Sequence, residues 1–206
     1  MISRAGTTHV PMKRDGGALG SSERMGLLED LQKGNPAAWR RMFQQNARAV
    51  YRWSVLLGLS SAEAEDAAQE VLCIAVKKID QCRSDEGLRP WLFRITRHVA
   101  ANARRKVWFR RGVLSDVPPE PAFEPGDIQG RENELSVRRC LEALSVRHRE
   151  VLILSDVEGY TRDEVAEVLG IPPGTVASRL RLARRAFRAR WDDAWNHGSD
   201  MKPSRG

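Results

Sequence analysis

The densest chemistry in the sequence is cationic. Between Val176 and Arg190 stand six arginines, Arg179, Arg181, Arg184, Arg185, Arg188 and Arg190, and no acid. Laid on a helix at 100° per residue, Val176, Leu180, Ala183 and Phe187 form one apolar stripe. Ser178, Arg181, Leu182 and Arg185 take the opposite face, with Arg179, Arg184 and Arg188 on its flanks. Guanidinium groups so arranged can hold phosphates or fork onto a guanine edge; a solvated arginine face on an ordinary core helix does neither. What precedes the run favours the first reading. Thr161 followed by Glu164 is a capping box, and Gly170 suits a left-handed cap after Leu169. Ile171-Pro172-Pro173-Gly174 makes a tight turn, and Thr175 can cap a second helix. Two short helices joined this way form a helix-turn-helix, whose second helix suits the major groove.

A second basic run lies upstream. Trp91 to Arg111 holds Arg94, Arg97, Arg104, Arg105, Lys106, Arg110 and Arg111 and no acid. Leu92, Ile95, Val99 and Ala103 align on one side of the expected helix, and Arg94, Arg97, Arg104, Arg105 and Trp108 on the other, a stripe suited to nucleic acid. Trp91, Phe93, Trp108 and Phe109 either stack on exposed bases or fill the core. The loop Gln81 to Arg89, rich in Arg, Ser, Asp, Glu and Gly, either reads an unstacked base by hydrogen bonds or simply joins two helices. Earlier still, Glu63, Glu65, Asp66 and Glu70 crowd the first turns of a helix that ends in Lys77 and Lys78. That polarity either compensates the helix dipole or makes a docking patch for a basic protein surface.

Nucleophilic, acid-base and metal chemistry have little to work with. His9, His98, His148 and His197 are scattered singly, and Tyr51 and Tyr160, the only tyrosines, have no His/Asp/Glu cluster at catalytic spacing. Cys73, Cys82 and Cys140 have neither the even number of a disulfide framework nor the close spacing of a metal site. No catalytic residue, metal or cofactor is expected, and the chain is not read as an enzyme.

The elements that must carry these faces read as all-helical. Apolar residues recur at 3.6-residue spacing, and sustained alternation is absent. The periodicity predicts helices at roughly 25–33, 36–57, 61–79, 88–109, 132–143, 146–157, 162–169 and 175–192. Residues 26–112 carry 16 basic and 9 acidic side chains, whereas 113–130 carry Asp116, Glu120, Glu124 and Asp127 with no Lys or Arg. Pro118, Pro119, Pro121 and Pro125 exclude helix and sheet interiors there. The expected architecture is therefore two small helical domains, 26–112 and 132–195, joined by a flexible acidic linker at 113–131, with disordered tails at 1–25 and 196–206. Of 206 residues with a net charge of +7, no apolar run is long enough to span a bilayer, and the N-terminus lacks the apolar core of a signal peptide. No membrane insertion is expected, and a reducing cytoplasm fits best.

Three blocks then resemble a known family, the bacterial sigma-70 family and within it the extracytoplasmic-function (ECF) group. Glu65-Asp66-Ala67-Ala68-Gln69-Glu70-Val71-Leu72 is similar to the helix that docks on the clamp helices of the polymerase β′ subunit. Arg89-Pro90-Trp91-Leu92-Phe93-Arg94-Ile95-Thr96-Arg97-His98-Val99-Ala100 resembles the promoter-melting and minus-ten helix. Arg149 through Leu180, with Asp156-Val157-Glu158-Gly159-Tyr160-Thr161 and Pro173-Gly174-Thr175-Val176, resembles the minus-thirty-five-binding domain. The resemblance covers residues 26–192. It implies a promoter-specificity subunit that directs core RNA polymerase, contacts its β′ clamp helices and β flap, and is controlled by an anti-sigma factor. It implies polymerase contacts at Glu65, Asp66, Gln69 and Glu70, and minus-ten contacts at Arg83, Ser84, Asp85, Arg94, Arg97, His98, Arg104 and Arg105. Minus-thirty-five contacts fall on Thr175, Ser178, Arg179, Arg181 and Arg185. Ala177 and His98 depart from the basic residue and asparagine common at those places.

Overall fold

A computed structural model describes residues 26–113 and 137–198, with side chains over 26–106 and 137–193. Of the linker expected at 113–131 and the tail expected at 196–206, Val113 and residues 196–198 are helical instead; the rest of both, the tail at 1–25 and the side chains of Trp108, Phe109, Arg110 and Arg111 lie outside the described residues. The chain runs through α1 (Leu27–Gln32), α2 (Pro36–Leu56), α3 (Ser61–Lys78), a 3-10 turn (Ile79–Gln81) and α4 (Leu88–Val113). After the gap come α5 (137–142), α6 (Val146–Leu152), a π-helical turn (Ile153–Val157), α7 (Arg162–Leu169) and α8 (Pro173–Gly198). The described residues contain no strand.

Local sequence sets the helix ends. Asn35 accepts from the amides of Ala37 and Ala38 ahead of Pro36, and Ser60 and Glu63 close a capping box at α3. Thr161 and Glu164 close another at α7, and each such cap contributes about 1 kcal/mol. Helix α2 ends in a Schellman turn: Gly58, at φ 99°, donates to Val55 O at 2.9 Å and Leu59 N to Ser54 O at 3.2 Å.

Helices α2, α3 and α4 pack mutually around Met42, Val50, Trp53, Leu57, Val71, Leu92 and Phe93. Trp53 and Phe93 meet edge to face with centroids 5.3 Å apart, worth about 0.5–1.5 kcal/mol beyond their buried area. Phe93 and Trp91 are thus core residues, which closes the base-stacking option for both. In the second unit α6 and α7 pack on α8 through Val151, Val165, Val168, Leu169, Val176 and Ala183.

Three expectations are corrected. Helix α8 starts at Pro173, which suits a first helical position because its missing N–H has no partner to lose there; Thr175 therefore lies inside the helix and is not its cap. At the other end α8 reaches Gly198, because no Gly or Pro interrupts 175–197, and Phe187 stacks on Trp191 one turn later. The expected 146–157 helix changes pitch midway. Glu158 N bonds back five residues to Ile153 O at 2.9 Å, and Val151, Leu152, Ile153 and Leu154 are buried in succession. Four consecutive buried positions sweep roughly 300° of helix surface, so this segment is enclosed on all sides. The second unit supplies contacts to that enclosure, and the two units meet nearby: α4 contacts α7, and one hydrophobic cluster runs through both.

Candidate nucleic-acid and protein interfaces

Helix α3 presents Glu65, Asp66, Gln69 and Glu70 together on its exposed face, continued by Cys73 and Val76. Buried Ala64, Ala67, Ala68, Val71 and Ala75 hold the opposite face on the core. Glu63 is different. Its carboxylate accepts from the Ser60 amide at 2.8 Å, so this acid serves the helix start, while Asp66 and Glu70 make none of the ion pairs among the described residues.

The residues expected at the minus-ten element divide. Arg94, His98 and Arg105 are exposed along one side of α4. Arg97 turns toward the second unit, its Nε 3.6 Å from Glu150, whereas Arg104 is tied within the first unit, its Nη1 donating to Leu57 O at 2.6 Å. Of Arg83, Ser84 and Asp85 in the loop before α4, only Arg83 is both exposed and outside the side-chain hydrogen bonds of the described residues. Ser84 Oγ accepts from Gly87 N at 3.0 Å at the start of α4, and Asp85 accepts from the amides of Gly26 and Leu28 at the start of α1. The side chains of Ser84 and Asp85 thus organise helix ends, satisfying N–H groups that have no partner within the helix.

On α8, Ser178, Arg181, Leu182 and Arg185 are exposed together, and Val176, Leu180, Ala183 and Phe187 face inward. Arg184 forks onto Asp156 of the π-helical turn through Nε at 3.1 Å and Nη2 at 2.5 Å. This surface pair steadies α8 by no more than about 1 kcal/mol, yet it orients the arginines beside it. Thr175 and Arg179 are half-buried, and Ser178 Oγ donates to Thr175 O at 3.0 Å.

Between the units lies a charged seam that no local pattern announces. Glu158 receives Arg52, Trp53 and Arg89, residues 69 to 106 positions away in sequence. Arg149 lies against Gly58, where a Cβ would come within 2.3 Å of its Nη1, and donates to the carbonyls of Leu144 and Glu142. Burial pushes the Glu150 carboxyl above the ordinary carboxylate range, although Arg97, Arg104, Arg179 and Arg147 pull the other way. A folded-state value above the unfolded one gives stability that is complete at acid pH and lost as pH rises through the raised value. At neutral pH the ionised carboxylate is therefore a net cost, and Glu150→Gln should raise the thermal midpoint. Wild type should close the difference as pH falls, and calorimetry of the two proteins between pH 7 and pH 4 checks the sign. Burial also pushes the Cys82 and Cys140 thiols up, away from the reactive thiolate. Among the described residues no helix is long and apolar enough to cross a membrane.

An acidic helix face, a basic helix beside it and a capped helix-turn-helix on one chain define a helical DNA-binding protein built to meet a protein partner as well. The Sigma-70 region 2 family matches residues 42–110, and Sigma-70, region 4 matches residues 134–187. The chain is 32% identical over 156 residues to the ECF RNA polymerase sigma factor SigL of Mycobacterium tuberculosis, covering 74% of this chain and 88% of that one. It is 29% identical over 170 residues to the RNA polymerase sigma factor NccH of Alcaligenes xylosoxydans xylosoxydans, covering 79% and 91%. Its fold is similar to that of CnrH, solved in complex with the cytosolic domain of CnrY, with TM-score 0.65 and 24% identity over 84% of this chain and 98% of that one. The chain belongs to the sigma-70 family of RNA polymerase sigma factors, in its ECF group. It is a transcription initiation factor and not an enzyme.

Proposed function

We propose that the chain docks on core RNA polymerase through Glu65, Asp66, Gln69 and Glu70 of α3, against the β′ clamp helices, and that its second unit meets the β flap. The exposed Arg94, His98 and Arg105 of α4, with Arg83 of the preceding loop, contact the minus-ten element; Arg97 joins them once the second unit moves away, and Arg104 once it leaves the Leu57 carbonyl. Ser84 and Asp85 support that surface by holding the helix ends beneath it. Arg181 and Arg185 reach base edges at the minus-thirty-five element, while Arg179, Ser178 and Thr175 hold its backbone. The units are a region 2 domain at 26–112 and a region 4 domain at 132–195. The chain acts in the cytoplasm, without cofactor or metal, and an anti-sigma factor controls it; RpoE of Bartonella quintana, which shares its fold, was solved in complex with the anti-sigma factor NepR.

The observation that carries this reading is the separation of charge by helix: one exposed acidic face on α3 and two exposed basic faces on α4 and α8, each backed by core. A free-standing repressor has use for the last of these only. Purified chain added to core polymerase on genomic fragments should give transcripts from defined start sites, each preceded by the same pair of elements. Random starts, or none, would remove the proposal.

A further inference from the structure

The first unit carries a built carboxylate socket. Trp53 is fully buried, and its one polar atom, Nε1, reaches the seam and donates to Glu158 Oε1 at 2.8 Å. Arg52 Nη2 donates to the same oxygen at 2.8 Å, and Arg89 brings Nε and Nη2 to Oε2, both at 2.8 Å. The Arg89 guanidinium lies 5.2 Å from the Trp53 ring centroid, so the aromatic face fixes the cation before any carboxylate arrives. The Phe93 contact in turn fixes Trp53. With 4% of its side chain exposed, Glu158 fills this socket from the second unit, delivered by the wide π-helical turn that ends beside it. Four donors on two oxygens are what a desolvated carboxylate requires to be tolerated.

Closure has a consequence for the arginines. Arg97 of α4 faces Glu150 at 3.6 Å, and the charge of Arg179 on α8 bears on that same carboxylate. One acid of the second unit thus lies among arginines assigned above to both promoter elements. We infer that the Arg52/Trp53/Arg89 socket is a docking surface for the chain's own second domain, and that Glu158 seated in it holds the free protein closed with Arg97 masked. Opening for promoter contact requires Glu158 to leave the socket. Masking rests on the DNA contacts proposed above, whereas docking can be read without DNA.

Small-angle scattering of the full-length free chain tests docking. Glu158→Gln removes the charge and keeps the shape, and Arg89→Gln breaks the socket from the other side. Both should increase the radius of gyration and the maximum dimension while circular dichroism stays at the wild-type helical content. Wild-type dimensions in both folded variants would overturn the docking, whatever the chain does on DNA. If one variant loses helix, the other decides. Masking is read by binding to a single-stranded minus-ten oligonucleotide. If the closed form is about nine-tenths populated, Glu158→Gln should bind about tenfold more tightly than wild type. Expansion without any gain in binding would overturn the masking while leaving the docking in place.

Discussion

Asp66→Lys combined with Glu70→Lys is expected to abolish co-purification with core RNA polymerase. Both carboxylates stand on the exposed face of α3, clear of the Ser60 and Glu63 capping box and of the ion pairs among the described residues. Reversal therefore leaves every described fold contact in place and acts on the partner. At an interface that pairs these acids with basic residues, it replaces attraction by like-charge repulsion, a cost of several kcal/mol. The same lysines oppose the dipole near the N-terminal end of α3, which costs less than about 1 kcal/mol per exposed site. Circular dichroism and thermal melting separate the two effects. A double variant that melts within a few degrees of wild type and no longer binds core polymerase carries the docking role. One that still directs specific initiation at wild-type levels refutes it, and the acidic face then belongs to the dipole alone.

On the DNA side, Arg181→Ala and Arg185→Ala should each weaken binding to the upstream promoter element by about 1–3 kcal/mol if the side chain forks onto a base. Both are exposed on the face opposite the buried Val176 and Ala183, so truncation removes no core contact. Arg184→Ala is the informative neighbour. It breaks the pairing with Asp156 and should change affinity indirectly, by about 1 kcal/mol or less. Titration of the cognate duplex and a scrambled one at two salt concentrations sorts the roles. Loss confined to the cognate duplex marks a base contact, and equal loss on both, with a smaller salt slope, marks a phosphate contact. No loss from either Arg181 or Arg185 would remove α8 from the groove.

Much of this molecule is written locally. The capping box at Thr161 and Glu164, the left-handed Gly170, the apolar stripe of Val176, Leu180 and Ala183 and the exposed acids of α3 are all short-range patterns, and the structure contains each of them. They are legible because helix periodicity and capping couple residues only three or four apart. Local pattern also had limits within a helix. It placed Arg97 and Arg104 beside Arg94 on one basic stripe, but that stripe is wide enough to face two environments, and only packing decides which arginines stay in water.

The seam was out of reach of any such pattern. Glu158 meets Arg52 across 106 residues, and neither residue differs in its own neighbourhood from an ordinary surface charge. Ser84 and Asp85 read as residues of a polar loop that either reads a base or joins two helices, yet the fold brings the start of α1 back over the loop and commits Asp85 to its amides. Helix propensity and amphipathicity act within a few turns and survive any arrangement of the helices. The partner of a buried charge is chosen when two surfaces are desolvated together, and that choice belongs to the tertiary structure alone.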